Sequence, residues 1–251
     1  MTGMARSMSK KTGKDKARMD KIVLANWKAN LSPANAFKWL ALFQEKYRVA
    51  AGIQVVLAVP FFNLPILKKE FGPFDKVSWA AQDASPFPPG SYTGTVPAAW
   101  LTGMAEFVLI GHRERRRYFH ETLQDAANKV REAAAAGLRP VLCMDRAIAG
   151  PQVAALDRSD MENMIIAYTP DEAEALEVAR SPGTVAESAA YFKEISGGCP
   201  VLYGGGVHKG NVMNFLALPQ LSGVMTASGC LDPQDFLALL HNAAGAVSAG
   251  A

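Results

Sequence analysis

From Lys21 onward, short runs of consecutive apolar residues alternate with longer stretches in which apolar positions recur at helical spacing. Runs this short and this continuously apolar are typical of strands buried on both faces of a parallel sheet. Eight units of this kind, with no break in composition, favour a closed (β/α)8 barrel, an α/β fold, in one domain over residues 21–247. The predicted strands are residues 21–26, 53–59, 76–82, 106–111, 139–143, 163–168, 200–203 and 222–226.

The stretches between the strands include predicted helices at residues 34–49, 122–136, 185–195 and 233–243. Several begin where an oxygen-bearing side chain precedes a proline. The oxygen can accept hydrogen bonds from free N–H groups of the first turn, and proline suits the first helical position. These pairs are Ser32-Pro33, Thr169-Pro170, Ser181-Pro182 and Asp232-Pro233.

Composition narrows the functional classes. The chain has 251 residues, of which 49% are hydrophobic, and its longest apolar runs are strand-sized, so we expect a large core and no association with membranes. The net charge of +3 comes from residues 1–20, a predicted disordered basic leader with a balance of +4, so we expect no nucleic-acid binding by the remainder. Three cysteines in apolar surroundings, Cys143, Cys199 and Cys230, indicate free thiols and a cytoplasmic location.

Two predicted strands run directly into side chains suited to catalysis. The first leads into Asn26 and Lys28, and the fourth ends at His112, which Glu114 follows closely. Because the carboxyl ends of parallel strands meet at one edge of a barrel, we expect this cation and imidazole to share a pocket. For His112 taken alone, a core histidine before a solvated basic turn is the alternative.

Longer segments resemble, in order, the signature segments of the triosephosphate isomerase family. They are NWKAN at 26–30, AQDASPFPPGSYTG at 81–94, IGHRERR at 110–116, LYGGGVHKGN at 202–211 and GVMTASGCLDPQDF at 223–236. The resemblance implies a TIM barrel that interconverts glyceraldehyde 3-phosphate and dihydroxyacetone phosphate in glycolysis and gluconeogenesis. It also implies a homodimer formed through the loop from Ser85 to Gly94. The residues show no metal-ligand spacing, and the glycines at 204–206 are not a dinucleotide fingerprint, so we expect no cofactor or metal.

The resemblance also assigns roles to individual residues. Asn26 and Lys28 match the family's substrate-binding asparagine and lysine, and Glu114 matches a glutamate that pairs near the lysine. His112 matches the histidine that, in this family, polarises the substrate carbonyl as a neutral imidazole while a glutamate acts as base. Gly204 and Gly205 match a glycine pair whose N–H groups cradle the phosphate.

The position of the catalytic base departs from the family pattern, because Thr169 stands where the family has its glutamate. A threonine hydroxyl is too weakly basic to accept a proton from carbon near neutral pH, so we expect activity to be impaired. One interpretation is that Thr169 caps a helix, with Glu172 completing a capping box. The other is that a shifted loop brings Asp171 or Glu172 into the pocket.

The phosphate side departs as well. The intervals flanking Thr169 are shorter than in the family, which implies a shortened lid and phosphate-binding loop. Gly206 replaces a serine, while Ala227 and Ser228 replace a glycine pair, and all three remain candidate substrate-binding positions. Arg113, in place of a serine, either binds an anion or points into solvent. His208 is a weaker candidate for contact with an anion.

Three hypotheses follow, and they leave open whether the protein is an enzyme. It is a weakened triosephosphate isomerase, a non-catalytic homologue that binds a small anion or a protein partner, or a different proton-transfer enzyme acting on a related phosphorylated or carboxylated sugar. Family resemblance favours the first, whereas the chemistry of Thr169 favours the second.

Overall fold

The computed structural model describes residues 20–171 and 178–249. Within them, eight parallel strands pair in chain order and the last closes onto the first, which confirms the predicted barrel. Each strand lies within two residues of its predicted bounds. The strands are β1 (Lys21–Asn26), β2 (Ile53–Val59), β3 (Val77–Ala81), β4 (Phe107–Ile110), β5 (Arg139–Met144), β6 (Ile165–Tyr168), β7 (Val201–Tyr203) and β8 (Gly223–Thr226).

Helices cover the outside of the barrel. Short 3-10 turns lie at Ser159–Met161 and Ser228–Cys230. The helix predicted at 34–49 ends at Lys46, and the one predicted at 233–243 continues to Ala249. The described helices are α1 (Pro33–Lys46), α2 (Leu64–Phe71), α3 (Ala98–Leu101), α4 (Arg113–Phe119), α5 (Leu123–Ala135), α6 (Arg146–Ala154), α7 (Pro182–Ile195), α8 (Val212–Leu216) and α9 (Pro233–Ala249).

Three of the four predicted cap-and-proline pairs begin helices whose bounds are described, and after the fourth, Thr169-Pro170, Asp171 is helical where the described range ends. Ser32, Ser181 and Asp232 accept hydrogen bonds from N–H groups of the first turn, so the capping argument holds for α1, α7 and α9. At the fourth pair, the hydroxyl of Thr169 is buried and has no hydrogen-bond partner among the described residues. The predicted capping box cannot be followed there, because Glu172 lies outside the described residues.

The core has two parts, one inside the barrel and one between the strands and the helices. Aromatic rings of α1 and α9 fill the outer part beside β1, and Trp39 stacks on Phe43 with ring centroids 5.0 Å apart. The seam between β8 and β1 is tight at Gly223, where a Cβ would overlap the main chain of Ile22. The barrel is therefore closed by backbone contact as well as by hydrogen bonds.

Because all eight strands are parallel, their carboxyl ends form one rim. That rim carries Asn26 after β1, His112 after β4, Thr169 after β6, Gly204 after β7 and Ala227 after β8. The fold thus gathers the predicted site residues at one end of the barrel. In the described part of the chain, no helix has the length and apolar character needed to span a membrane.

Candidate active site

Lys28 has a left-handed backbone with φ of 50°, which is uncommon for a residue other than glycine. The amide of Gln82 holds this turn by donating to the main-chain oxygen of Lys28 at 2.9 Å and to that of Ala58 at 3.0 Å. The Lys28 N–H donates to Asn26 Oδ1 at 3.0 Å. Lys28 Nζ lies 2.7 Å from Glu114 Oε1, so the ammonium group is fixed beside the rim.

His112 is buried, with 6% of its surface exposed, and it caps the start of α4. Its Nδ1 accepts a hydrogen bond from the Glu114 N–H at 3.3 Å. Glu114 Oε2 also lies 3.5 Å from this nitrogen. In a neutral imidazole only one nitrogen carries a proton, so the contact with the Glu114 N–H favours the tautomer that donates through Nε2, which is the form that polarises a carbonyl oxygen.

A cavity of about 340 Å³ opens at the rim beside Lys28. It brings together Asn26, Lys28, Asn30, Glu114, Gly204, Gly206, Val207, Met225, Thr226, Ala227, Ser228 and Leu231. Among the predicted site residues that the structure describes, Gly205, His112 and Thr169 do not line it. Gly205 is buried behind the wall.

His112 instead lines a second cavity of about 280 Å³, shared with Phe61, Gln82 and Phe119. Asn26, Lys28 and Glu114 line both cavities, so the Lys28–Glu114 ion pair lies between them. His112 and Gly204 therefore line adjoining cavities that share the Lys28–Glu114 ion pair.

The wall at Gly204 is occupied by side chains. A Cβ at this position would lie 2.7 Å from Met225 Cε and 3.2 Å from Thr169 Cγ2, so packing alone accounts for the glycine. Ala227 and Ser228 stand at the start of the 3-10 turn that follows β8. This side of the cavity retains backbone groups and the Ser228 hydroxyl, and Met225 narrows the approach to Gly204.

Thr169, to which the resemblance assigns the position of the base, is fully buried. Its N–H donates to the Met144 oxygen at 2.9 Å. The side chain of the nearby Asp171 is 60% exposed, its carboxylate lies 3.8 Å from Arg116, and it lines neither cavity. This geometry gives no support to Asp171 as a base, and Glu172, the other candidate, lies outside the described residues.

The structure also describes Arg113 and His208, the two residues suggested to contact an anion. The guanidinium of Arg113 donates to the main-chain oxygen of Asp171, so this arginine holds the chain after β6, a role that neither sequence interpretation included. His208 is exposed, its Nδ1 accepts from the Gly210 N–H at 3.1 Å, and it lines neither cavity. It stabilises a turn, and the suggested contact with an anion stays a prediction.

The chain is also anchored where it enters α7. The Arg180 N–H donates to the Tyr203 hydroxyl at 2.8 Å. Burial raises the pKa of Tyr203 to about 12, although the Arg180 hydrogen bond acts in the opposite direction. The phenol therefore stays protonated at neutral pH, and this contact is insensitive to pH in that range.

A buried charge network supports the start of α4. Lys129 Nζ lies 2.7 Å from Asp83 and 2.5 Å from Glu121, and Arg115 Nε lies 2.8 and 2.6 Å from the same two carboxylates. Burial raises the pKa of Asp83 above its ordinary value, against the opposing effect of Lys129. The sequence patterns did not indicate this network or the role of Gln82; the one signal for Gln82 was its place in the segment at 81–94 after β3.

Comparison with known proteins identifies the same family that the sequence segments resemble. The sequence model of the triosephosphate isomerase family matches residues 21–243. A triosephosphate isomerase of Synechocystis sp. (strain PCC 6803) is 32% identical over 245 residues, which cover 89% of this chain and 99% of that protein. One from Xanthomonas euvesicatoria is 33% identical over 257 residues (89% and 98%), and one from Deinococcus radiodurans is 30% identical over 246 residues (88% and 98%).

Proposed function

The chain belongs to the triosephosphate isomerase family, and from that premise we propose that it is a weakened aldose–ketose isomerase of triose phosphates. The observation that carries the proposal is the arrangement of Lys28, Glu114 and His112 at one rim. Lys28 supplies positive charge next to a donor imidazole, and together they suit a substrate whose carbonyl oxygen gains negative charge during reaction.

The described part of the site lacks the general base that would move a proton between the first and second carbons of the triose phosphate. In this family a glutamate does so, whereas Thr169 has only a hydroxyl at that position. Among the described residues, Glu114 is the one carboxylate that lines the cavity of about 340 Å³, and it is engaged with Lys28. Losing a general base costs about 10²–10⁴ in rate, or roughly 3–5 kcal/mol of barrier.

The second candidate is a homologue that binds a small anion without turning it over. It is favoured by His112 and Gly204 lining different, adjoining cavities and by Met225 packed against Gly204. Under this candidate Lys28 still attracts the anion, and no step of proton transfer follows.

Three variants distinguish the candidates. We expect slow isomerisation of glyceraldehyde 3-phosphate by the wild type, and Thr169→Glu should raise kcat by about 10²–10⁴ by restoring a base. Thr169→Gln is the matched control, because glutamine is similar in size to glutamate but has no carboxylate. It should show no increase in kcat. Lys28→Met should lose both activity and binding of glycerol 3-phosphate, measured by calorimetry. Turnover of thousands per second by the wild type would overturn the impairment.

If Thr169→Glu gains no more than Thr169→Gln while glycerol 3-phosphate still binds, the binding-only candidate is favoured. If neither activity nor binding is found in any of these proteins, both candidates fail. In that case the protein-partner alternative is the one to pursue.

The assembly we propose is a homodimer formed through the loop from Ser85 to Gly94. Phe87 and Tyr92 of that loop stack with ring centroids 4.5 Å apart, yet each remains at least 40% exposed, which is unusual for such rings in a monomer. The second cavity, lined in part by Phe61 and Phe119, offers a concave apolar surface for the same loop of a second copy. The three free cysteines support a location in the cytoplasm.

A further inference from the structure

A cavity of about 570 Å³ lies at the amino-terminal end of the barrel, the end opposite Lys28 and His112. Catalytic sites of such barrels lie at the carboxyl ends of the strands, so this cavity is separate from the candidate active site. Its volume is within the range of small-molecule sites. It is lined by Asp20, Lys21, Ile22, Gln54, Arg139, Pro200, Pro219, Leu221 and Ser222.

Arg139 begins β5 and is half-buried in the wall of this cavity. Its Nε donates to the Asn163 oxygen at 3.2 Å, and the guanidinium carbon lies 5.7 Å from the Phe107 ring centroid. No residue in the described ranges accepts a hydrogen bond from its two terminal nitrogens. Burial lowers the pKa of this guanidinium, which reflects how poorly its charge is solvated.

Arg139 also lines a neighbouring hollow that holds three carboxylates, Glu106, Asp160 and Glu162. None of the three forms an ion pair with Arg139; Glu106 pairs with Lys68 and Asp160 with Arg131. Asp20 lines the cavity of about 570 Å³ itself, but its carboxylate pairs with Lys76 at 2.9 Å. The cavity therefore keeps a half-buried positive charge whose hydrogen-bonding capacity is incompletely used.

Lys21 adds a second cation at the first position of β1. Its Nζ donates to the main-chain oxygens of Leu218 and Leu221, which fix the ammonium group in the wall. The other walls are largely apolar and are formed by Ile22, Pro200, Pro219 and Leu221. An anionic group would thus find two cations, and an apolar body would find surfaces to cover.

We propose that this cavity binds a small organic acid, with the carboxylate on Arg139 beside Lys21 and the apolar body against the proline and leucine walls. A guanidinium matches the two oxygens of a carboxylate, and the pairing gains strength where water is partly excluded. The leader at residues 1–19 is a poor occupant, because it carries six Lys/Arg and one Asp and so has the same sign of charge as the cavity.

The test is calorimetry on the full chain with 3-phenylpropionate and its uncharged amide, 3-phenylpropionamide. The acid should bind saturably and the amide about tenfold more weakly, as expected for the loss of a charge-assisted hydrogen bond. Arg139→Gln should weaken binding of the acid by about the same factor. Lys28→Met, which alters the opposite rim, should leave it unchanged.

Several outcomes would overturn the proposal. They are absence of saturable binding to the wild type, equal affinity for acid and amide, equal affinity for inorganic phosphate, or binding that is lost in Lys28→Met and kept in Arg139→Gln. If Arg139→Gln does not fold by circular dichroism, Ser222→Phe takes its place, since it fills the cavity and keeps both cations. Unchanged binding of the acid by a folded Ser222→Phe protein would equally refute the site.

Discussion

Lys28 occupies a left-handed backbone conformation that costs a residue with a side chain about 1–3 kcal/mol. The surrounding hydrogen bonds of Gln82 and Asn26 offset that cost and fix where the ammonium group points. Placement of the cation therefore depends on a neutral side chain on the neighbouring rim loop. Gln82, to which we assign no catalytic role, thus determines the position of Lys28, which supplies charge to the proposed site.

Replacing Gln82 tests this dependence. Gln82→Leu should lower the free energy of unfolding by about 1–3 kcal/mol, because buried carbonyl oxygens lose their donor. Affinity for glycerol 3-phosphate should fall with it. Gln124→Leu on α5 is the matched control, since its amide bonds Asn128 on an exposed surface, and it should stay within about 0.5 kcal/mol. Urea unfolding and calorimetry measure both effects; equal behaviour of the two variants would contradict the assigned role.

The buried thiols give a second prediction at this scale. Burial raises the pKa of Cys199 and of Cys230, so at pH 8 both remain thiols, and the thiolate is the reactive form. Iodoacetamide should therefore label Cys199 and Cys230 slowly in the native protein and rapidly in urea, as followed by mass spectrometry. Rapid labelling of native Cys230 at pH 8 would show that the thiol is not held in the interior.

At the scale of elements, the network of Asp83, Arg115, Glu121 and Lys129 joins the loop after β3 to α4 and α5. Because α4 begins next to His112, these contacts also hold the imidazole in place. Two cations balance two anions in the network, and removing one cation leaves carboxylates buried without compensation. Such a change is costly, even where replacing a whole buried network is not.

Lys129→Met should lower the free energy of unfolding by about 3–5 kcal/mol. The loss should grow as pH rises. A raised native pKa of Asp83 gives stability that is full below the ordinary carboxyl pKa of about 4 and is lost as pH passes through the native value. Without Lys129, which lowers that pKa, the native value rises further. Urea unfolding from pH 4 to 8 measures this; Lys38→Met on the exposed face of α1 is the control, and equal losses would contradict the network.

Sequence patterns predicted the strands closely, since a strand buried on both faces leaves a continuous apolar run. Capping pairs located three helix starts for a similarly local reason. Lys129 could not be anticipated, because a lysine in an amphipathic helix ordinarily points into solvent and its burial depends on partners distant in sequence. The placement of the Lys28–Glu114 ion pair in the wall of two adjoining cavities depends on residues 86 positions apart, so no local pattern records it.

At the scale of the whole molecule, exposed aromatic rings on the loop from Ser85 to Gly94 predict association. Tyr92→Asp should shift the protein toward the monomer at micromolar concentration, because it places a charge on the surface that would be buried. Met213→Asp on α8, whose side chain is similarly exposed, is the control and should not change the assembly. Sedimentation velocity measures both, and a wild type that is already monomeric would refute the dimer.

The close backbone approach of Gly223 to Ile22 has a consequence for how the protein is made. β1 is made before the other strands, but one of its two partners is β8, the last strand of the barrel, and Ile22 pairs with Gly223. One edge of β1 therefore stays open while the other seven strands are made, and the nascent chain cannot complete the ring before β8 is made. Non-local pairing of this kind is slow and leaves a strand edge exposed to other chains. A side chain at position 223 would hinder the pairing of β8 with β1 and would lengthen the time for which the edge of β1 is unpaired. The residue at 223 in the last strand therefore affects how long the first strand is exposed to aggregation.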